Sequence, residues 1–358
     1  MDTSMNEQVR RLRGPQTEEP FVGIGDPGAL EALFAHSTGE RPSSRSRVAT
    51  GVGHGVAEVA LTEAYRARGF LRARLDPLGL AVLPEVSDLA PAGYGLMGEA
   101  AAALTARLDA AYCGSIGWEF GHIHDPARRR WLAAEAEAGE IAPDAATREQ
   151  ILALLARGVT FEAAMAQRYP GGRLFGLGGA ESFLVALESS LAESVRLGVE
   201  EVVVGGMHRG RFNMLANVFG KPLPQLVAEV LGKPSVPDGI ACASDVSYHL
   251  GYSGDIEVEG QRLHVSISAH PSHLQLAPII SQGRARAKQA MRGEAGRGAV
   301  LPLLLHTDAS FEGQGLVAEM LQLSGLAPFD LGGTIHVVIN NQLGFTTTPE
   351  EGRTARGA

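Results

Sequence analysis

The sequence predicts an α/β fold in which a helical N-terminal region precedes a mainly parallel sheet. From residue 199 onward, apolar β-branched runs such as VEEVVVGG (199–206) and TIHVVIN (334–340) alternate with stretches of helical periodicity. This alternation is typical of parallel strands that are joined by helices. Before that point most apolar residues recur at helical spacing, and Pro or Gly residues, among them Gly158, mark breaks between the predicted helices.

The same pattern divides the chain into three segments. Residues 1–55 mix charged residues with Ser, Gly and Pro, which is typical of a flexible leader. Residues 56–168 form the predicted helical region, and residues 169–358 form the predicted α/β domain. A chain of 358 residues is long enough to bury more than one hydrophobic core.

Composition excludes several classes of protein. The chain carries 40 acidic and 31 basic residues, so it has no general attraction for nucleic acid or for a membrane surface. Cys113 and Cys242 are too few for a disulfide framework and match no metal-binding spacing. The N-terminus has no continuous apolar stretch of the signal-peptide kind. We therefore expect a cytoplasmic protein that meets an anionic ligand only at locally placed positive charge.

The segment after residue 300 predicts a metal site. Asp308 follows the apolar run over 301–307, and Asn341 follows the run over 334–340, with a helical pattern between them. Both side chains are therefore expected at the carboxyl ends of parallel strands, where open α/β sheets bind ligands. A carboxylate, an amide oxygen and the Leu343 carbonyl would supply half of the shell of Mg²⁺, and a diphosphate the remainder. The alternative is an ordinary βαβ unit with a capping Asp and a turn Asn.

A second site is predicted after the strand over 202–206. Arg209 follows a glycine pair where a helix begins, so it and the local backbone N–H groups could both face phosphate. His249 lies in a second loop rich in glycine. The alternative is that His208 caps the helix, that Arg209 and Arg211 are surface charges, and that His249 is structural.

Other assignments fit less well. In GYSGD, Asp255 stands where a hydrolase nucleophile turn requires Gly. In GLGGAE, Glu181 stands where a dinucleotide-binding loop has its last Gly. The histidines at 264, 270 and 273 lack the Cys or acidic ligands that would complete a tetrahedral metal site.

Seven blocks in order give a specific resemblance that runs from about residue 57 to the end of the chain. The blocks are LTEAYRARGFLRARLDPLGL (61–80), YCGSIGWEFGHIHDPARRRWL (112–132), LFGLGGAESFLVALE (174–188), VVVGGMHRGRFNMLANVFGKPL (202–223), DVSYHLG (245–251), AHPSHLQLAPIISQGRARAKQ (269–289) and the pair within 301–347. With these blocks the chain resembles the decarboxylating first component of the 2-oxoglutarate dehydrogenase complex, which uses thiamine diphosphate. The metal segment resembles the thiamine diphosphate motif, in which Gly-Asp-Gly is followed by a later Asn-Asn pair.

The resemblance implies a reaction, cofactors and partners. The expected reaction is decarboxylation of 2-oxoglutarate in the tricarboxylic acid cycle, with acyl transfer to a lipoyl group. The cofactors would be thiamine diphosphate and Mg²⁺, and the partners a second copy of the chain and the lipoyl-bearing dihydrolipoyl acyltransferase. His208 and His249 would be catalytic, and His249 and Ser272 would bind substrate. The metal ligands would be Asp308, Asn341 and Leu343; the cofactor-binding residues would be Arg209, Ser272, Leu274, Asp308, Ala309, Ser310, Asn341 and Leu343.

The chain also departs from the family pattern. Thr307 replaces a Gly, and a β-branched residue there would strain the phosphate pocket if the position requires φ > 0. Gly178 replaces a Glu, which removes a carboxylate that could orient cofactor or pocket groups. Three further replacements are Phe70 for His, His270 for Asn and Gln275 for Glu.

Length is a further departure. The chain ends soon after the diphosphate motif, whereas the family continues through later domains, one of which carries the glutamate that activates the cofactor. From this we expect a C-terminally truncated chain, without an evident docking arm for the acyltransferase, that is inactive alone. The alternative functions are a 2-oxoadipate-type or aldehyde-releasing 2-oxo acid decarboxylase, or an inactive cofactor-binding or dimerising fragment.

Overall fold

The computed structural model describes residues 54–139, 142–233, 246–344, 346–348 and 351. The predicted leader over 1–55 lies almost entirely outside these residues. The chain divides into two compact units between Ala142 and Pro143. Among the described residues, no helix is both long enough and apolar enough to cross a membrane.

The first unit is helical. Its helices are α1 (His54–Arg68), α2 (Gly98–Tyr112) and α3 (Pro126–Ala138), with 3₁₀ turns at Gly69–Arg72, Ser87–Leu89 and Pro91–Tyr94. Leu61 and Leu108 are buried in a core with Tyr65 and Tyr112, and the Tyr112 hydroxyl donates a hydrogen bond to the Glu137 carboxylate at 2.7 Å. The Tyr65 hydroxyl donates a hydrogen bond to the Asp109 carboxylate at 3.0 Å, so the ring packs in the core without leaving a polar group unpaired.

The second unit is an α/β unit around a five-stranded sheet in the described part of the chain, with strand order β2-β3-β1-β4-β5. The pairs β1–β3, β1–β4 and β4–β5 are parallel, and β2–β3 is an antiparallel hairpin. The strands are β1 (Glu201–Gly206), β2 (Tyr252–Val258), β3 (Gln261–Ile267), β4 (Val300–Thr307) and β5 (Ile335–Ile339). The predicted fold, a helical region followed by a mainly parallel sheet, is confirmed.

Helices and short turns connect these strands. β1 is buried along its whole length, because helices cover both faces of a parallel sheet. The helices are α4 (Ala145–Arg168), α5 (Ser182–Arg196), α6 (Arg211–Asn217), α7 (Leu223–Val230), α8 (Leu276–Met291), α9 (Gly296–Ala299), α10 (Asp308–Gly313) and α11 (Gly315–Leu323), with 3₁₀ turns at Ser247–His249 and Gly293–Ala295.

Gly158 does not break a helix, which corrects the sequence prediction. α4 runs through this position without interruption. A Cβ atom at 158 would lie 2.7 Å from Cδ1 of Leu184, and the Gly158 carbonyl accepts a hydrogen bond from the Asn213 side chain at 3.0 Å. The glycine therefore allows α5 and α6 to approach α4 closely. Leu154 and Met165 of α4 are buried in the core of the second unit, although the sequence pattern predicts α4 as part of the helical region over 56–168.

Gly206 ends β1 in a conformation that only glycine adopts readily. Its φ is +88°, and a Cβ atom there would lie 2.0 Å from the Leu305 carbonyl oxygen of β4. We expect Gly206→Ala to lower the free energy of unfolding by about 2–4 kcal/mol, because the added atom must push two paired strands apart. Urea denaturation followed by circular dichroism measures this loss.

Gly178→Ala is the matched control for that substitution. No atom of the described residues lies within 4 Å of a Cβ added at Gly178, and the φ of Gly178 lies outside the positive range. We expect a change within about 0.5 kcal/mol at this position. Equal losses in the two variants would contradict the steric explanation.

Candidate active site at the carboxyl edge of the sheet

Four parallel strands place the predicted site residues along one edge of the sheet. Val204 of β1 is in register with Ile267, the last residue of β3, and Thr307 of β4 is in register with Ile339, the last residue of β5. The loops after these strand ends therefore lie along the same edge, which is where ligands bind in open α/β sheets. His208 and Arg209 follow β1, Ser272 and Leu274 follow β3, Asp308, Ala309 and Ser310 follow β4, and Asn341 and Leu343 follow β5.

Asp308 is the most informative residue at this edge. It is the first residue of α10 and its side chain is buried, with 6% of the residue exposed. Its Oδ1 atom has no hydrogen-bond partner among the described residues. A carboxylate oxygen without a partner is costly in a protein interior, and such atoms are rare unless a bound ion or ligand supplies the missing partner. The arrangement therefore fits a cation at Asp308.

Asn341 lies beside this position at the end of the neighbouring strand. It is two residues beyond β5, and its Oδ1 accepts a hydrogen bond from the Leu343 amide at 3.1 Å. Gln342 between them has φ +57°, which closes the turn. An amide oxygen has two lone pairs, so Asn341 retains one for a cation. The side chain of Leu343 is exposed, and only its backbone carbonyl is a candidate ligand.

The turn after Thr307 is not strained in the way that the Gly replacement suggested. Thr307 has φ −105° and ψ 143°, which is ordinary extended backbone. A β-branched residue adopts this conformation without penalty, so the expectation of strain from a positive φ is wrong here. Ser310 is buried and donates a hydrogen bond from its hydroxyl to the Thr307 carbonyl at 2.9 Å, whereas Ala309 is exposed on α10.

His208 and Arg209 present unpaired nitrogen atoms in the loop after β1. The Nδ1 of His208 and the Nε of Arg209 are both buried and have no hydrogen-bond partner among the described residues. Arg209 donates from Nη1 to the Gly176 carbonyl at 3.2 Å, which fixes its direction. Burial and the charge of Arg209 lower the pKa of His208, so its imidazole is neutral at neutral pH. These nitrogens are suited to an anionic or carbonyl ligand.

A row of aromatic rings joins His208 to the loops after Tyr248 and after β3. Phe175 packs edge-on against His208 and Tyr248 at centroid distances of 4.7 and 5.0 Å. His249 packs against Tyr248 at 4.7 Å and against His270 at 5.6 Å. The structure thus brings the two predicted histidines, 208 and 249, into one continuous wall.

Ser272 and Leu274 lie in the turn that continues this wall. The His270 amide donates to the His249 carbonyl at 2.7 Å, and the His273 amide donates to the His270 carbonyl at 3.1 Å. His270 has φ +58°, a conformation that Asn adopts more readily than most residues and that His also tolerates. Both residues lie at the carboxyl edge of the sheet, because their turn follows β3. Ser272 is exposed and Leu274 is half-buried.

Arg211 is a residue whose role the sequence did not reveal. It is fully buried, and its guanidinium donates to the carbonyls of Gly206 at 3.2 Å, Leu250 at 2.7 Å and Ser268 at 2.8 Å. Burial lowers the pKa of Arg211 to about 9, which still leaves it charged at neutral pH. The alternative that Arg211 is a surface charge is wrong. Instead it ties together the ends of β1 and β3 and the loop that carries His249.

His306 and His336 form a second unpredicted feature. Their rings stack at 5.2 Å, and the Nε2 of His306 lies 3.0 Å from the Nδ1 of His336. Burial and the neighbouring His336 lower the pKa of His306 to about 4, and burial also lowers the pKa of His336. Both rings are therefore neutral at neutral pH. The sequence alone does not predict this contact, because it depends on the register of β4 against β5. In that register His306 pairs with Val338, two positions after His336.

Ser253, His264 and Asp255 are hydrogen-bonded in the order of a hydrolase triad. The Ser253 hydroxyl lies 3.0 Å from Nε2 of His264, and Asp255 lies 2.7 Å from Nδ1. Ser253, however, lies within strand β2, whereas hydrolases of the α/β class hold their serine at a strand-to-helix turn. Across the described residues, no group of three or more His, Cys, Asp or Glu side chains is arranged to hold a metal ion.

The fold is that of an α/β domain, and among the described residues the carboxyl edge of its sheet presents a buried carboxylate oxygen and buried nitrogens without hydrogen-bond partners. A family model described as the dehydrogenase E1 component matches residues 154–358, more than half of the chain. The chain belongs to this dehydrogenase E1 component family. The family resemblance seen in the sequence is confirmed.

The chain is also similar in sequence to individual members of this family. The chain is 40% identical over 329 residues to the 2-oxoglutarate dehydrogenase E1 components of Brucella canis, Brucella suis and Brucella anthropi. The matched part is 84% of this chain and 33% of each relative. The chain therefore corresponds to about a third of the length of these curated relatives.

Proposed function

We propose that this chain binds thiamine diphosphate through Mg²⁺ and, as part of a 2-oxoglutarate dehydrogenase, takes part in the decarboxylation of 2-oxoglutarate with acyl transfer to a lipoyl group. The observation that carries the proposal is the buried Oδ1 of Asp308, which has no hydrogen-bond partner in the described part of the chain and lies at the end of β4, next to the strand end that carries Asn341. When bound, the cofactor would supply the carbanion chemistry of decarboxylation.

The residues at the β4 and β5 ends would hold the metal and the diphosphate. Mg²⁺ takes oxygen ligands, and Asp308, Asn341 and the Leu343 carbonyl are oxygen donors at two neighbouring strand ends. Ala309, Ser310, Arg209, Ser272 and Leu274 would contact the remainder of the cofactor, because they lie on loops along the same edge.

The residues after β1 and β3 would bind the substrate. A 2-oxo dicarboxylic acid carries two negative charges, and the chain as a whole has a net charge of −9, so recognition requires local donors. Among the described residues, His208 and Arg209 have buried nitrogens without hydrogen-bond partners, and His249 and Ser272 lie along the same wall. Neutral His208 would donate a hydrogen bond to the oxo oxygen, and Arg209, in its contact with the cofactor, would place positive charge beside a substrate carboxylate.

The partners and the location of the protein belong to the same proposal. Two copies of the complete protein would form a homodimer that works with the lipoyl-bearing dihydrolipoyl acyltransferase in the cytoplasm. The similarity to the Brucella 2-oxoglutarate dehydrogenase E1 components supports this assignment of substrate and complex.

Substrate binding tests the proposal directly. 2-Oxoglutarate, 2-oxoadipate and pyruvate would be titrated by calorimetry into the chain loaded with Mg²⁺ and an unreactive thiamine diphosphate analogue. We expect the wild-type chain to favour 2-oxoglutarate. His249→Ala should weaken its binding about tenfold or more, the effect of losing a hydrogen bond to a charged ligand, while the affinity for the analogue stays within about twofold.

His264→Ala is the matched control. His264 pairs in register with Glu201, the first residue of β1, and so lies toward the opposite edge of the sheet. This variant should bind all three acids like the wild-type chain. A preference of the wild-type chain for 2-oxoadipate or pyruvate would overturn the assignment of 2-oxoglutarate as substrate. Equal losses of 2-oxoglutarate affinity in His249→Ala and His264→Ala would overturn the assigned role of His249.

A further inference from the structure

A buried hydrogen-bonded path leads from the start of α8 to the turn that carries Asp308. Gln275, the residue before α8, is 1% exposed and lies between His306 and Ser310. Its Oε1 is 2.9 Å from the Nδ1 of His306, and its Nε2 donates to the Ser310 hydroxyl at 2.9 Å. Ser310 in turn donates to the Thr307 carbonyl.

The direction of each bond follows from the chemistry of the groups. The Oε1 of Gln275 can only accept, so the Nδ1 of His306 carries the proton. The Nε2 of Gln275 can only donate, so it occupies a lone pair of the Ser310 oxygen and leaves the Ser310 hydrogen for Thr307. A single amide thereby fixes both the imidazole of β4 and the hydroxyl of α10.

We propose that Gln275 is a positioning residue that holds the Thr307–Ser310 turn, and with it the free carboxylate oxygen of Asp308, in the geometry that binds the metal. This inference rests on the proposed function of Asp308 as a cation ligand. Asp308 lies within the turn, between the carbonyl and the hydroxyl that the path connects. The Gln275 side chain, which would contact neither the metal nor the cofactor, would thus set the affinity of the site for both.

The resemblance to the family adds a prediction about chemistry. The family pattern has Glu where this chain has Gln275. A carboxylate of the same length would also bridge the two neighbours by accepting from both His306 and Ser310. The Ser310 hydrogen would then leave the Thr307 carbonyl, and the Thr307 hydroxyl, 3.1 Å from the Ser310 oxygen, would donate to Ser310 and keep the turn joined. The bridge, rather than the amide itself, is therefore the property that positions the turn.

The test compares Mg²⁺-dependent binding of thiamine diphosphate by calorimetry in substituted full-length chains. Gln275→Met keeps the volume and removes the bridge, and we expect it to weaken binding about tenfold, as for other groups that orient metal ligands. Gln275→Glu restores the bridge, and its affinity should lie within about threefold of wild type. Ser310→Ala should weaken binding at least as much, because Ser310 would also contact the cofactor. Adding Gln275→Met to Ser310→Ala should weaken binding no further, because both substitutions break the same path.

Gln289→Met is the matched control. Gln289 is equally buried in α8, but its Nε2 donates to the Val300 and Leu331 carbonyls at the opposite edge of the sheet. Its substitution should lower the melting temperature about as much as Gln275→Met while leaving cofactor affinity unchanged. If the two Gln variants lose affinity equally, or if the Gln275 and Ser310 effects add, the positioning role is wrong. Failure of the wild-type chain to bind would instead overturn the proposed function.

Discussion

Replacing Arg211 with methionine is expected to lower the free energy of unfolding of the second unit by about 3–5 kcal/mol. The side chain is fully buried, and its removal leaves three carbonyl oxygens without their donor. Each such group costs about 1–3 kcal/mol, and the costs overlap because the three carbonyls share one donor. The His249 loop should also lose protection in hydrogen exchange, since Leu250 is one of the acceptors.

The measurement is urea denaturation followed by far-ultraviolet circular dichroism, with hydrogen exchange resolved to peptides. Trp118 and Trp131, the two tryptophans of the chain, both lie in the first unit, so their fluorescence reports that unit separately. Arg196→Met is the control, because Arg196 is exposed and its ion pairs contribute about 1 kcal/mol or less. If Arg211→Met lowers the free energy of unfolding no more than Arg196→Met does, the stabilising role of the three Arg211 hydrogen bonds is wrong.

The sheet and its ligand-binding edge could be predicted because they follow from local patterns. Buried β-branched runs such as Val202–Val204 have few alternatives to a central parallel strand, and the polar residues that follow each run then meet at one edge. The sequence alone therefore predicts that Asp308 and Asn341 lie at neighbouring strand ends.

The remaining features depend on contacts between residues that are distant in sequence. The burial of Arg211 depends on carbonyls 39 and 57 positions away, and periodicity carries no information about them. Gly158 looks like a helix break in isolation, yet close packing of two neighbouring helices requires a residue without a side chain there. The bridge of Gln275 likewise joins the start of α8 to His306 of β4 and Ser310 of α10, which lie 31 and 35 positions away in sequence.

Asp308→Asn is expected to have opposite effects on stability and on binding. Without a cation, the Asp308 Oδ1 of the wild-type chain is a buried carboxylate oxygen that has no hydrogen-bond partner among the described residues. Removing that charge should raise the free energy of unfolding of the chain in a chelating buffer by about 1–3 kcal/mol. The same substitution should abolish the stabilisation that Mg²⁺ and thiamine diphosphate give the wild-type chain, because stabilisation by a ligand depends on its affinity. Melting temperatures with and without the ligands measure both effects.

The most direct test of cation and cofactor binding at the β4 and β5 ends is calorimetric titration of thiamine diphosphate into three chains: wild type, Asp308→Asn and the control Asp330→Asn. Asp330 is a carboxylate that precedes β5, so it lies toward the opposite edge. We predict binding by wild type and by the control in Mg²⁺, loss of that binding in EDTA, and at least about a tenfold weaker affinity for Asp308→Asn, which corresponds to about 1.4 kcal/mol. Binding that is independent of Mg²⁺, equal affinities of Asp308→Asn and wild type, or absence of binding by the wild-type chain would contradict the assignment.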